Sequence, residues 1–129
     1  MTVGVVLVSH SADLAAAAAE LAGELAGPAT AVLAAGGTED GRFGTSIEKV
    51  EAAVSAADSG DGVAILMDVG SAVLTSKALL ADLPEEAAVR LVDAPLVEGA
   101  IAAAVTASTG QDLNAVVAAG EQAWGMRKL

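Results

Sequence analysis

Residues 3–9, VGVVLVS, carry an apolar or small side chain at nearly every position, where a half-exposed strand would alternate apolar with polar. Such a strand has no face to give to water. It must lie inside a sheet covered on both sides, which means a parallel sheet with helices above and below. The rest of the chain fits that frame. SADLAAAAAELAGELAG places Leu14, Ala18, Leu21 and Leu25 at helical spacing, with Ser11 or Asp13 to cap the start and Gly27-Pro28 to stop it. Residues 30–34 predict a second strand, followed by the glycine-rich loop AAGGTEDGRFGTS. A helix runs from about Ser46 through Ile47, Val50, Val54 and Ala57. After the turn SGDG, residues 63–67 (VAILM) predict a third strand, and DVGS opens a helix through Val73, Leu74, Ala78 and Leu79 that ends near Leu83-Pro84. Residues 89–92 make a fourth strand, DAPLVEG leads into a helix around Ile101 and Val105, and Gly110 breaks it. Gln111 or Asp112 opens a last helix through Val116 and Val117 towards Trp124, with MRKL as a frayed tail.

The order βαβαβαβαα predicts one α/β domain over residues 1–129, a three-layer sandwich with a mainly parallel central sheet and right-handed crossovers. Apolar residues are 54% of the chain but aromatic ones only 2%, so the core must be packed from small aliphatics with helices close to whatever they cover. A net charge of −11 opposes nucleic acid and anionic membranes and favours cationic partners. There is no cysteine, hence no disulfide, thiolate nucleophile or cysteine-based zinc site. The start MTVGVV lacks the basic region of a signal peptide, and no apolar run approaches the length of a membrane span, so the expected location is the cytoplasm.

In open parallel sheets, chemistry collects beyond the carboxyl ends of the strands. That rule selects Ser9-His10-Ser11, the loop from Ala35 to Ser46, Asp68 to Ser71, and Asp93 to Gly99. His10, the only histidine, ends strand one; Asp68 ends strand three. Strands one and three are commonly adjacent in doubly wound sheets, which would let the Asp68 carboxylate reach the His10 ring, fix its tautomer and free the other nitrogen as a nucleophile. Taken singly, each residue has an ordinary reading: a surface or capping histidine, a helix-capping aspartate, a plain connecting loop. Their convergence on one sheet edge is what points to a site. There is no GxxxxGK[ST], no GxGxxG in the first βα turn and no GxSxG. Glu20, Glu24, Glu48, Glu51, Glu85 and Glu86 fall on helix faces or ends and read as solvated surface.

VLVSHSADLA, AAGGTEDGRFGTS, DGVAILMDVGSAVLTSKAL and DAPLVEGAIAAAV together resemble the mannose-type enzyme IIA family of the phosphoenolpyruvate phosphotransferase system, in the branch that serves dihydroxyacetone kinase. The resemblance spans about Val3 to Gly110. It implies strand order 2-1-3-4, a homodimer, and a histidine matching His10 that accepts a phosphoryl group from the carrier protein HPr. It further implies delivery to ADP on the DhaL subunit, which works with DhaK on dihydroxyacetone. Magnesium and nucleotide would sit on that partner, and this chain would bind no cofactor. The family aspartate that orients the histidine matches Asp68. Gly36, Gly37, Thr45, Ser46 and Ser71 are expected to cradle the phosphate. Some members continue into HPr-like and enzyme I-like domains; this sequence ends at Leu129, so HPr is expected as a separate protein. Mannose-type members exchange a C-terminal strand, whereas the segment from Gln111 reads as a helix. The alternatives are a sugar-transport IIA component, a receiver-like module phosphorylated on Asp68, and a passive flavodoxin-like interaction domain.

Overall fold

The computed structural model describes residues 2–129. Four strands, β1 (Gly4–Ser9), β2 (Val32–Gly36), β3 (Val63–Met67) and β4 (Val89–Val92), form one parallel sheet in the order β2-β1-β3-β4. The helices between them are α1 (Ala12–Ala26), α2 (Ile47–Ala57), α3 (Gly70–Asp82) and α4 (Leu96–Ser108). A last helix, α5 (Leu113–Glu121), runs on into a single 3-10 turn at Gln122–Gly125, so the segment after Gln111 is helical. The α/β class and the strand order 2-1-3-4 are as expected.

Every residue of β1 is buried. Its side chains alternate between two cores: Val5 and Leu7 face α1, α4 and α5, while Val6 and Val8 face α2 and α3. This is why the first strand had to be apolar throughout.

Several expectations change. The second strand lies at Val32–Gly36 rather than residues 30–34. Its pairing runs Val5↔Val32 through Ser9↔Gly36, so it extends as far as its partner does and takes in a glycine that propensity assigns to the loop. Helix α1 also turns differently. It buries Ala15, Ala18, Ala19 and Ala22, while Leu14, Leu21 and Leu25 are 42%, 46% and 55% exposed. In α4 the buried face is likewise Gly99, Ala100, Ala103, Ala104 and Ala107, and Val105 is exposed. Both faces occupy one core, where methyl groups let the two helices approach closely. In α3 the buried residues are Ala72, Ser76 and Leu79, and Leu74 is exposed. The tail also departs from a simple frayed end, because Lys128 Nζ lies 2.8 Å from Glu98 Oε2 on α4. Among the described residues no helix is long and apolar enough to cross a membrane.

Candidate functional site

Pairing of β1 with β3, Val8 opposite Met67, sets Ser9-His10 beside Asp68 at the carboxyl edge of the sheet. The chain leaves β1 at Ser9 and enters α1 at Ala12, and the Ser11 hydroxyl caps that helix by accepting from Leu14 N at 3.2 Å. His10 is exposed; Ser9 is fully buried.

Asp68 does not hold the ring. Its Oδ2 accepts from the Ser9 hydroxyl at 2.6 Å, and its Oδ1 accepts from the backbone amides of His10 at 3.2 Å and Val69 at 2.6 Å. The ring instead meets α3: His10 Nδ1 lies 2.9 Å from Ser71 Oγ. The expected carboxylate–imidazole bond is therefore replaced by a hydroxyl–imidazole bond, because the Ser9 hydroxyl and the amides of His10 and Val69 take the two Asp68 oxygens. The chemical difference matters. A carboxylate accepts only and would fix Nδ1–H, whereas a hydroxyl can serve either tautomer. Among the described residues no hydrogen bond reaches Nε2.

The glycine-rich loop closes over the same corner. Gly44 N donates to the His10 carbonyl at 2.8 Å, and Phe43 stacks on the ring with centroids 6.1 Å apart and planes 15° from parallel. Phe43 is 76% exposed and was not singled out in the sequence. The available signal was the chain's one phenylalanine, set in a polar loop aimed at its one histidine. The loop also neutralises its own charges: Arg42 pairs with Asp40 at 2.9 Å, and the Thr38 hydroxyl, helped by Arg42, holds the Asp40 carboxyl below its usual range.

Of the five expected cradle residues, Ser71 alone brings its side chain to the ring. Gly36 lies inside β2, where a Cβ would stand 2.5 Å from Ser11 O and 2.8 Å from Ala15 Cβ; this glycine admits the start of α1. Gly37, at φ +73°, gives its amide to Ser9 O at 3.3 Å. Thr45 Oγ1 meets Thr75 Oγ1 at 2.6 Å and so fastens the loop to α3. Ser46 caps α2 through Lys49 N at 3.2 Å and bonds Glu39 at 2.9 Å. The contacts these four residues make are packing, loop-fastening and capping ones. The free donors lie elsewhere: α3 begins with no side-chain cap, and space is open above Gly70. First-turn amides of an uncapped helix attract an anion.

A cavity of about 620 Å³ opens beyond Asp68, lined by Met67, Val73, Lys77, Leu91 and Trp124 among others, but His10 is not in its lining. The histidine stands on open surface. A receiver would fill the end of β1 with acidic residues; here that position reads Ser9, His10, Ser11.

A parallel 2-1-3-4 sheet with a lone exposed histidine at its carboxyl edge is a combination that comparison with known proteins assigns to a class. Residues 4–117 match the family model EIIA-man, described as PTS system fructose IIA component, and the chain belongs to this family. Among its relatives is the PEP-dependent dihydroxyacetone kinase phosphoryl donor subunit DhaM of Escherichia coli (strain K12), 41% identical over 120 residues, or 89% of this chain and 25% of that protein. PEP-dependent dihydroxyacetone kinase 2, phosphoryl donor subunit DhaM of Listeria innocua, is 32% identical over 89% of this chain and 94% of its own length. The chain thus spans a quarter of the first relative and nearly all of the second. A solved structure described as unknown function protein EF1359 superposes with a TM-score of 0.88 at 36% identity, covering 100% of this chain and 99% of that one.

Proposed function

We propose that this chain is a phosphoryl carrier that accepts a phosphoryl group on His10 from the phosphohistidine of an HPr-type donor and passes it to ADP held by a DhaL-type subunit for dihydroxyacetone phosphorylation. The observation that carries this reading is the exposed His10 ring, with Nδ1 on Ser71 and Nε2 open, beside the uncapped start of α3. In the forward step the Nε2 lone pair attacks the donor's phosphorus, the donor's N–P bond breaks, and the donor imidazole leaves with its electron pair. In the return step a phosphate oxygen of ADP attacks, the His10 N–P bond breaks, and Nε2 recovers its lone pair. Ser71 accepts from Nδ1–H during both. Asp68 fixes the main chain of His10, and the α3 amides meet the phosphoryl oxygens. Such a step asks mainly for positioning and charge stabilisation.

Two features favour transfer between proteins over turnover of a small substrate. The histidine is on open surface outside the cavity. Arg42 and Lys49 are also engaged elsewhere, with Asp40 and with the Gly36 carbonyl at 3.1 Å, which leaves counter-charge to come largely from the partner. In this reading the nucleotide and its magnesium belong to the acceptor subunit. The exposed Phe43, Val69 and Leu74 supply apolar contact for either partner.

The test is incubation with phosphoenolpyruvate, enzyme I and HPr, followed by intact mass and then by chase into DhaL–ADP or a sugar-transport IIB domain. One phosphoryl group that is labile to acid, stable to alkali, absent from His10→Ala and discharged by DhaL–ADP is the expected result. An alkali-labile adduct, or full labelling of His10→Ala, overturns it, and discharge to the IIB domain alone moves the protein to sugar transport.

A further inference from the structure

We infer that Ser9, whose hydroxyl bonds neither the ring nor Ser71, is a positioning residue for His10 and acts through Asp68. Only the kinetic arm of its test rests on the phosphoryl-carrier reading above.

Ser9 is the last residue of an otherwise apolar strand and is 0% exposed. A hydroxyl buried there is unfavourable unless its hydrogen bonds are made. Both kinds are made: it accepts from Ser11 N at 3.0 Å and donates to Asp68 Oδ2 at 2.6 Å. The hydroxyl has one proton, and an ionised carboxylate can only accept, so the direction of the chain is fixed. It runs from the Ser11 amide to the Ser9 hydroxyl to the Asp68 carboxylate.

That direction decides what Asp68 can do. Held at Oδ1 by two backbone amides alone, the carboxylate could pivot about that oxygen; the Ser9 hydroxyl on Oδ2 removes the freedom. Oδ1 in turn holds His10 N at 3.2 Å, while Gly44 N holds His10 O at 2.8 Å. The main chain of His10 is thereby tied on both sides, and its ring lands on Ser71, three residues after Asp68 and at the start of α3. One buried hydroxyl links the β1–α1 turn to the end of β3 and sets the distance between a ring and a serine to which it makes no hydrogen bond.

The experiment compares wild type with Ser9→Ala, Ser9→Cys and Ser9→Thr, each checked for folding by circular dichroism and urea titration. Cysteine, a weak donor of similar size, takes the place of alanine should the alanine variant prove unfolded. Because His10 is the only histidine, its ring nitrogens give unambiguous long-range ¹⁵N–¹H NMR signals without any donor protein. Folded Ser9→Ala or Ser9→Cys is expected to shift those signals, and Ser9→Thr to keep them near wild type. With phospho-HPr, kcat for phosphoryl acceptance is expected to fall by about tenfold to a hundredfold while KM stays near the wild-type value. Wild-type ring signals in a folded hydroxyl-free variant overturn the inference, and so does a threonine variant as perturbed as alanine. If the wild type takes no phosphoryl group, the carrier reading fails and the ring signals alone decide the role of Ser9.

Discussion

Asp68 gathers the Ser9 hydroxyl and the amides of Val69 and His10, and that set explains both what the sequence revealed and what it hid. The neighbourhood of His10 and Asp68 was legible, because it follows from two strand ends and the adjacency of β1 and β3. Which atom each oxygen meets was not, since that depends on side-chain rotamers and on competition from the Ser9 hydroxyl and the backbone amides at the same two strand ends. The same limit applies to Gly36 and Gly37, where the approach of α1 leaves no room for a side chain. Replacing Asp68 with alanine leaves the buried Ser9 hydroxyl without its acceptor and two amides without theirs. Stability is expected to fall by about 1–3 kcal/mol, read as a lower urea midpoint, and phosphoryl acceptance to slow without vanishing. An unchanged midpoint would show that water replaces the carboxylate at no cost.

Elements were legible where burial is complete. The bounds of β3 follow from an unbroken apolar run between turn residues. The helices lie where the sequence places them, and α2 and α5 bury the expected Val50, Val54, Val116 and Val117. Helices α1 and α4 turn differently about their axes, because periodicity weights large side chains and so favours Leu14, Leu21 and Leu25 over Ala15, Ala19 and Ala22. The composition already favoured the other answer, a core of small aliphatics. Ser76 of α3 shows the opposite oversight. It occupies a buried position on the face packed against Val6 and Ile65's core, and its hydroxyl has no hydrogen-bond partner. Ser76→Ala removes an unsatisfied polar atom and improves helix propensity, so it is expected to raise stability by about 1 kcal/mol. The urea midpoint should rise at unchanged m-value, and a fall would reveal a hidden partner for that oxygen.

Across the whole molecule, the end of the chain returns to α4 through the pair of Lys128 and Glu98. Hydrogen bonding to Lys128 lowers the Glu98 pKa below its ordinary 4.5, and the same bond raises the Lys128 pKa above 10.5. A lowered carboxyl stabilises the docked tail fully above its ordinary value and loses that effect as pH falls through the lowered one. A raised ammonium does so fully below its ordinary value and loses it as pH climbs through the raised one. The tail is therefore expected to stay docked across the neutral range and to loosen at both extremes, and at high salt because both groups are exposed. Backbone ¹⁵N relaxation at Arg127 and Lys128 measures this; order that ignores pH would show that the pair holds nothing. The interior of the molecule raises a different matter. Where α1 and α4 meet, the side chains are already single methyl groups, so mutations that trim have little left to remove. Harm comes from thickening. At that seam random change will injure the protein mainly by adding bulk, the reverse of the pattern along its valine- and leucine-filled strands, and a deep substitution scan should find Ala19, Ala22, Ala103 and Ala104 more tolerant of glycine and serine than of valine and leucine.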